Sequence, residues 1–383
     1  MKNVAIEDSM FDVAIIGGGL GGLALAIQSV QKGYRTVLFE KEKYPFHRVC
    51  GEYISFESWN FLQELGIPLS DLHLPLIRRL QVSAPNGNML EHSLPLGGFG
   101  ISRYYLDDLL YQIAVKEGVV VMQENRVMDV IYSNDRFTLF TNRGETMARI
   151  VAGAYGKRSN LDIRWKREFT RKRPSKLNHF IAVKYHVKCD LPSDLISLHN
   201  FKNGYCGISK VENNKYCLCY LTTASNLRNN QNDVVQMEEK VLMKNPMLKE
   251  VLLSSSKLYD HPLIISQISF NRRSQVENHV LMVGDAAGLI TPLCGNGMSM
   301  ALHASKLAIR EIESFMSGSS TRFEMEQQYG QQWEKLFSRR LATGRMIQRW
   351  FGSEFQSDLL IKMLKPFPKV VNFLIRETHG ETF

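Results

Sequence analysis

Asp12-Val-Ala-Ile-Ile16 runs without a break into Gly17-Gly-Gly-Leu-Gly-Gly22, and the junction between them decides the fold. A continuous apolar run that ends on glycines reads as a parallel strand buried on both faces. Gly21 to Lys32 then reads as a helix, and Thr36-Val-Leu-Phe39 as a second strand ending on Glu40. Together they make a βαβ unit. The spacing Gly17-x-Gly19-x-x-Gly22 removes side chains where backbone N–H groups, at the positive end of the helix dipole, can approach a pyrophosphate. Glu40 lies 18 residues after Gly22, close to the spacing at which a carboxylate accepts hydrogen bonds from an adenosine ribose.

The surrounding composition is that of a globular protein. Of 383 residues, 44% are apolar and 22% charged, enough for two interlocked domains or for one domain with a helical extension. Six cysteines lie far apart with no Cys-x-x-Cys spacing, so neither a disulfide framework nor a metal site is expected, and a reducing cytoplasm fits. The most apolar stretch, Phe11 to Val30, contains five glycines and begins as a strand, which argues against a signal peptide or a spanning helix. A net charge of +9 would attract anionic lipid, nucleic acid or an acidic substrate alike. The densest basic cluster is Arg164, Lys166, Arg167, Arg171, Lys172, Arg173 and Lys176, relieved only by Glu168. It lacks the aromatic or zinc-finger patterning of nucleic-acid modules, and it reads as a solvated connection between domains.

Downstream, Tyr105 to Lys116 reads as a helix, Val119 to Met122 as a short strand and Val127 to Thr141 as a strand pair. Val280-Leu-Met-Val283 is the next buried-strand pattern, running into Gly284-Asp-Ala-Ala-Gly288 and a helix from Gly297 to Phe315. In that helix Ala301, Ala304, Ala308, Ile312 and Phe315 recur at helical spacing and predict one face packed on a sheet. The nucleotide domain is therefore expected in pieces, at 1–70, 100–165 and 265–318. Phe180 to His186, Gly204 to Ser209 and Tyr216 to Thr222 read as antiparallel strands joined by polar turns, which assigns 71–99 and 166–264 to a substrate domain. Residues 319–383 read as helical and basic, with Pro366 and Pro368 breaking the last helix before Val370.

Gly284-Asp285 is a second glycine-and-aspartate site about 260 residues beyond the first, which a simple nicotinamide dehydrogenase does not need. With both motifs in order, residues 11 to 315 resemble the FAD-dependent oxidoreductase superfamily that includes para-hydroxybenzoate hydroxylase, geranylgeranyl reductases and flavin halogenases. The resemblance implies a glutathione-reductase-type, Rossmann-like FAD domain interleaved with an antiparallel-sheet substrate domain, α/β and α+β overall, followed by a helical C-terminus. It assigns Gly17, Gly19, Leu20, Gly21, Gly22, Glu40, Lys41, Arg103 and Val127 to the cofactor, and Gly284 and Asp285 to its ribityl chain and pyrophosphate. Pro292-Leu-Cys-Gly295-Asn296-Gly297 resembles the loop beside the isoalloxazine ring, where N–H groups opening the next helix would stabilise negative charge on reduced flavin.

Three segments depart from the family patterns. Gly153-Ala-Tyr-Gly-Lys-Arg-Ser159 is similar to the family's Gly-Ala-Asp-Gly-x-x-Ser, with Tyr155 in place of the Asp, as in the reductase and halogenase branches. Pro45-Phe-His-Arg-Val-Cys-Gly-Glu52 resembles the reductase Pro-x-x-Lys-x-Cys-Gly-Gly, with Arg48 for Lys and Glu52 for the second Gly. The resemblance places Arg48, Cys50 and Gly51 near the flavin, with Cys50 either relaying a proton or packing as a small apolar residue. Gly204-Tyr-Cys-Gly-Ile-Ser209 stands where halogenases carry Trp-x-Trp-x-Ile-Pro, and Cys206 also takes the Trp position of the reductases.

The expectation from these residues is non-covalent FAD, NAD(P)H as electron donor, and monooxygenation of a fairly apolar small molecule ahead of double-bond reduction, halogenation or FAD binding without turnover. Arg339, Arg340, Arg345 and Arg349, beside Phe337, Leu341 and Trp350, make a basic amphipathic pattern. It packs on the flavin domain, closes over the substrate cleft or lies on a membrane surface; the protein is expected in the cytoplasm, and peripheral at the inner membrane face in the last of these readings.

Overall fold

The computed structural model describes residues 10–171, 179–350 and 353–383. The Phe11–Ile16 strand lies at the centre of a parallel sheet because Val13 to Ile16 have apolar side chains to bury on both faces. The parallel strands run in the order Val280–Met282, Gly144–Gly153, Phe11–Ile16, Thr36–Phe39 and Val120–Met122. The long Gly144–Gly153 strand serves two partners. Its first half closes an antiparallel meander with Arg136–Thr141 and Val127–Ser133, and its second half enters the parallel sheet. The Leu20–Gln31 and Gly297–Met316 helices meet over this sheet, with Gln28 Nε2 donating to Ser305 Oγ at 3.2 Å.

The second sheet has nine strands. Phe180–Lys188, Tyr216–Thr223, Gly204–Lys210 and Leu195–Phe201 are antiparallel neighbours, and Leu195–Phe201 then pairs in parallel with Leu76–Ser83. Leu76–Ser83 continues the sheet through Met89–Gly100 to Tyr53–Ser55. The chain thus leaves the nucleotide fold after Glu40, contributes three strands to the second sheet, and returns in the Arg103–Lys116 helix. The Arg322–Trp350 helix packs Tyr329, Trp333 and Phe337 into the main core, and Tyr329 donates to the Met282 carbonyl at 2.5 Å. Arg340 of the same helix pairs with the buried Glu57 at 3.4 Å, so this member of the basic amphipathic pattern faces the core, whereas Arg339 and Arg349 are exposed.

The strand at 144–153, the Leu76–Ser83 and Met89–Gly100 pair, and the short helices between 224 and 254 lie beyond the elements expected from the sequence. The basic cluster needs a correction. Arg167 is buried, not solvated, and binds Asp162 at 3.0 Å, the Tyr155 hydroxyl at 3.1 Å and the Ser274 carbonyl at 2.9 Å. A guanidinium withdrawn from water needs such partners, and Asp162 was available only five residues away. Lys172, Arg173 and Lys176 fall outside the described residues.

A buried ion cluster ties the second sheet to the start of the Arg103–Lys116 helix. Glu52, fully buried at φ +56°, accepts from the Lys184 ammonium, from the Arg103 N–H at 2.8 Å and from His186 Nε2 at 2.5 Å. Lys184 and His186 belong to the second sheet, whereas Arg103 opens the helix that returns to the first. Burial pushes the Glu52 carboxyl up, but Lys184 and then His186 overcome it and hold it down at about 2. A carboxyl depressed in the folded state stabilises the fold above its unfolded pKa and loses that contribution as pH falls. The native protein should therefore lose stability as pH drops from about 4.5 towards 2, measured as Tm against pH. Glu52→Gln should flatten that slope and cost about 3–5 kcal/mol at neutral pH by leaving Lys184 unpaired. Parallel Tm curves for the two proteins would contradict the assignment.

Candidate functional site

The glycine turn is shaped by exclusion. A Cβ on Gly22 would lie 2.0 Å from the Gly17 carbonyl oxygen, so the strand and the helix can meet this closely only without a side chain. The Leu20–Gln31 helix starts on Gly19 with no side-chain cap and no acidic residue in its first turn. Its leading N–H groups are left for an anionic ligand. Leu20 is buried, and Gly21 packs against Val283 and Ala301.

Charged side chains close the mouth of this turn. Glu40, almost fully buried, accepts the Gly18 N–H at 2.9 Å and the Glu42 N–H at 3.0 Å. Arg48 bridges Glu40 at 2.9 Å, the Gly18 carbonyl at 3.2 Å and Asp107 at 3.0 Å. Arg103 binds Asp107 through two N–H groups, both at 2.7 Å, and its terminal nitrogen lies 3.5 Å from where a Cβ on Gly19 would stand. Burial works against the Arg103 cation, but Asp107 overcomes it with help from Cys50 and Asp285, and its pKa stays above the ordinary value. Arg103 thus carries its positive charge beside the glycine turn. Asp107 and Tyr44, whose hydroxyl donates to the Gly18 carbonyl at 2.5 Å, are site residues that sequence reasoning passed over. The Arg103-x-x-x-Asp107 spacing, one helical turn, was the signal available for Asp107.

The remaining assigned residues spread outward from this centre. Lys41 is exposed and faces Glu42 at 3.6 Å. Val127 is buried at the start of its strand, two residues after Asn125, whose N–H binds the Glu40 carbonyl at 2.9 Å. Gly284 takes φ +64° at the end of the Val280–Met282 strand, with room for a Cβ limited by Ala301 at 3.1 Å. The Pro292–Cys294 turn leads through Gly295 and Asn296 into the Gly297–Met316 helix, again with no side-chain cap and no acid in the first turn. Asn296 instead donates to the Thr378 carbonyl at 2.8 Å. The side-chain-free turn, two uncapped helix starts, and the Arg103 and Arg48 guanidiniums fit a dinucleotide whose pyrophosphate is negative.

The Cys50 segment crosses between the sheets. Gly51 is exposed with open space around it, and Cys50 is half-buried. The Cys50 carbonyl accepts the Cys217 thiol at 3.2 Å. Burial pushes the Cys217 thiol well above its ordinary range, and Cys219 up to about 12, so neither is a thiolate at neutral pH. Glu52, His186 and Cys217 bring ligand atoms within 4.8 Å of one another, but the Lys184 ammonium already stands on Glu52 as the local cation. His47, stacked on Tyr104, is held down at about 4, by burial and then by Lys184, and is neutral at pH 7.

Beside the Leu293-Cys294-Gly295 loop lies an apolar cavity of about 120 Å3. Leu80, Val82, Leu94, Ile196 and Leu198 of the second sheet wall it, and Ile347, Thr378 and His379 of the C-terminal helices cover it. Tyr205 belongs to the apolar cluster on this side of the sheet with Leu198 and Leu293. Cys206 faces the opposite cluster with Val183 and Leu218, so the residue in the reductase Trp position points away from the cavity. A wider cleft of about 540 Å3, lined by Arg79, Glu91, His92 and Arg376 among others, includes none of the motif residues.

Residues 10–327 match the family described as FAD binding domain. The chain is 22% identical over 336 residues to conditioned medium factor receptor 1 of Dictyostelium discoideum, a match that covers 80% of this chain and 64% of that longer protein. It is 23% identical over 355 residues to a digeranylgeranylglycerophospholipid reductase of Methanococcus vannielii, covering 86% of this chain and 84% of that one. Among solved structures, a geranylgeranyl bacteriochlorophyll reductase-like protein from Thermoplasma acidophilum superposes with a TM-score of 0.79 at 18% identity, over 98% of this chain and 97% of that one. The flavin-dependent brominase Bmp2 superposes with a TM-score of 0.77 at 19% identity, over 96% and 93%. With the glycine turn, Glu40 and Gly284-Asp285 all inside the matched span, the chain belongs to the FAD binding domain family and to the FAD-dependent oxidoreductase superfamily.

Proposed function

We propose that this chain is an FAD-dependent oxidoreductase acting on a fairly apolar small organic molecule, as a monooxygenase driven by NAD(P)H in the cytoplasm. The observation that carries the reading is the apolar cavity against the Leu293–Gly295 loop. Its aliphatic walls select by shape and desolvation and offer no charged group to a substrate. Bound FAD would supply the redox chemistry, accepting a hydride equivalent from the donor and passing electrons on to oxygen or to substrate. The residues of the chain bind and orient. Gly17 to Gly22, Arg103 and Asp285 hold the pyrophosphate and ribityl region, Glu40 accepts the ribose hydroxyls, and the N–H groups after Gly297 face the charge of the reduced ring.

Reduction of a carbon double bond is the second reading. It is favoured by Cys50-Gly51, retained from the reductase segment, and by the digeranylgeranylglycerophospholipid reductase among the relatives. In both readings Cys50, two residues before the Glu52 that accepts the Arg103 N–H, is the group we assign to proton transfer. The basic C-terminal helices are the part we assign to peripheral membrane contact.

Asp285→Ala should bind FAD at least about tenfold more weakly, because a charged hydrogen-bonding partner is lost. The readout is flavin absorbance against protein absorbance after gel filtration, and full occupancy would remove Asp285 from the site. Cys50→Ser should slow flavin turnover with FAD occupancy unchanged, whereas an equal rate would return Cys50 to packing. The reaction class is decided by supplying NADPH, labelled O2 and a panel of apolar alkenes and aromatics. Label in the product establishes monooxygenation, and a saturated, unlabelled product establishes the reductase.

A further inference from the structure

We propose that the hairpin formed by the Glu354–Leu364 and Pro368–Thr378 helices docks this protein on an anionic phospholipid surface, and that its second helix is the roof through which the apolar cavity is loaded. The docking rests on the surface alone. Only the loading step rests on the apolar substrate proposed above.

Both helices are two-sided. In the first, Phe355, Leu359 and Met363 recur four residues apart on the side opposite Ser357 and Ile361, which are buried. Phe367 stands exposed in the turn, and Val370 and Phe373 continue the row along the outer side of the second helix. The inner side of that helix buries Val371 and Thr378, and Ile375 packs on the cluster of Tyr53, Ile77 and Leu94. Phe355 is 76% exposed and Phe367 59%. A row of large apolar side chains this open is the mark of an interaction surface.

The charges select the occupant. Lys362, Lys365, Lys369 and Arg376 are exposed along the same row. The acids Asp358 and Glu377 are mostly covered, Asp358 by Lys362 at 2.7 Å and Glu377 by Arg339. Among the described residues no ion pair engages Lys365, Lys369 or Arg376. A second copy of this chain, itself carrying a net +9, would set lysines against lysines. An anionic bilayer meets both features, because aromatic and aliphatic side chains enter the headgroup boundary while lysines extend to the phosphates. Among the described residues no helix is long and apolar enough to cross a membrane, so the contact is interfacial.

The hairpin is anchored where docking would matter. His92 Nε2 and Asn372 Oδ1 lie 2.8 Å apart, and Asn88 Nδ2 donates to Asp358 at 3.1 Å, fixing both helices to the second sheet. The second helix ends on Thr378 and His379, which line the cavity, and the Thr378 carbonyl takes its hydrogen bond from Asn296 of the flavin-side loop. A molecule dissolved in the leaflet that the hairpin touches would thus meet the cavity across one helix, without crossing water.

The test is flotation of the purified, FAD-loaded protein with vesicles of phosphatidylcholine, alone and with roughly one third phosphatidylglycerol. The protein should float with the anionic vesicles, much less with the neutral ones, and less again as salt rises. Phe355→Ser with Phe367→Ser and Phe373→Ser, and separately Lys365→Glu with Lys369→Glu, should each weaken binding by about tenfold or more. Flavin absorbance and Tm, read on the same samples, should match the parent, since none of these residues touches the flavin site. The proposal is overturned if the parent stays unbound at low salt, or if both variants float like the parent. It is equally overturned if the parent is a dimer that the serine variant makes monomeric, which would give the face to a second copy. Because flotation is read without turnover, loss of the oxidoreductase reading would leave this result standing, and the reverse holds as well.

Discussion

The constraint on which the site rests lies at the end of the first strand, where a single added carbon at Gly22 would collide with the Gly17 carbonyl at 2.0 Å. Everything around the dinucleotide site depends on that bare turn. It lets the Leu20–Gln31 helix start directly over the sheet with its N–H groups uncapped, and it leaves Gly18 to hydrogen-bond Glu40. Arg48 then reaches the Gly18 carbonyl, and Arg103 stands against the space that a side chain on Gly19 would take. Two cations converge there on Asp107, so the site is prepaid with positive charge but not left with unpaired groups.

A second constraint runs the other way, adding a side chain where the family resemblance has glycine. Glu52 takes φ +56°, a left-handed conformation that costs a non-glycine residue energy. Its carboxylate, in return, is the common acceptor for groups from the second sheet and from the start of the Arg103–Lys116 helix. A buried ion pair seldom adds much net stability over a well-packed apolar one, but it fixes register sharply because each partner is intolerable alone. The cluster therefore sets how the Cys50 segment lies between the sheets, and with it where Cys50 stands relative to Arg103.

The sequence made the nucleotide fold legible because its signals are local. The apolar strand, the glycine spacing and Glu40 lie within thirty residues of chain, and the elements at 36–39 and 297–316 fall within a residue of their expected positions. Gly284-Asp285 was legible through its order relative to the first motif. Tyr44, Asp107 and the Glu52 cluster were harder, because their meaning lies in partners across the fold: Glu52 and Lys184 are 132 residues apart. The Leu76–Ser83 and Met89–Gly100 strands alternate polar and apolar residues weakly, since one face looks into a cavity and the other to solvent. Arg167 looked like one more surface cation in a basic run, and only the fold shows Ser274 and Asp162 closing around it.

The cavity ties these pieces into one argument about chemistry. Its walls come from the second sheet, its floor from the Leu293–Gly295 loop and its cover from the C-terminal helices, so no single segment determines what fits. Residues that would discriminate substrates by hydrogen bonding are scarce along the aliphatic wall, which leaves shape and exclusion of water as the means of selection. Variation among related flavoproteins in such walls would change the substrate without disturbing the cofactor turn, because the two are built on different sheets. A direct link between them is the Asn296 to Thr378 hydrogen bond, joining the start of the flavin-side helix to the end of the covering helix. Movement of the cover cannot be large without breaking that bond or shifting the loop, so access to the cavity and the geometry of the flavin side are coupled through this contact and the shared apolar cluster of Leu293 with Ile361 and Val371.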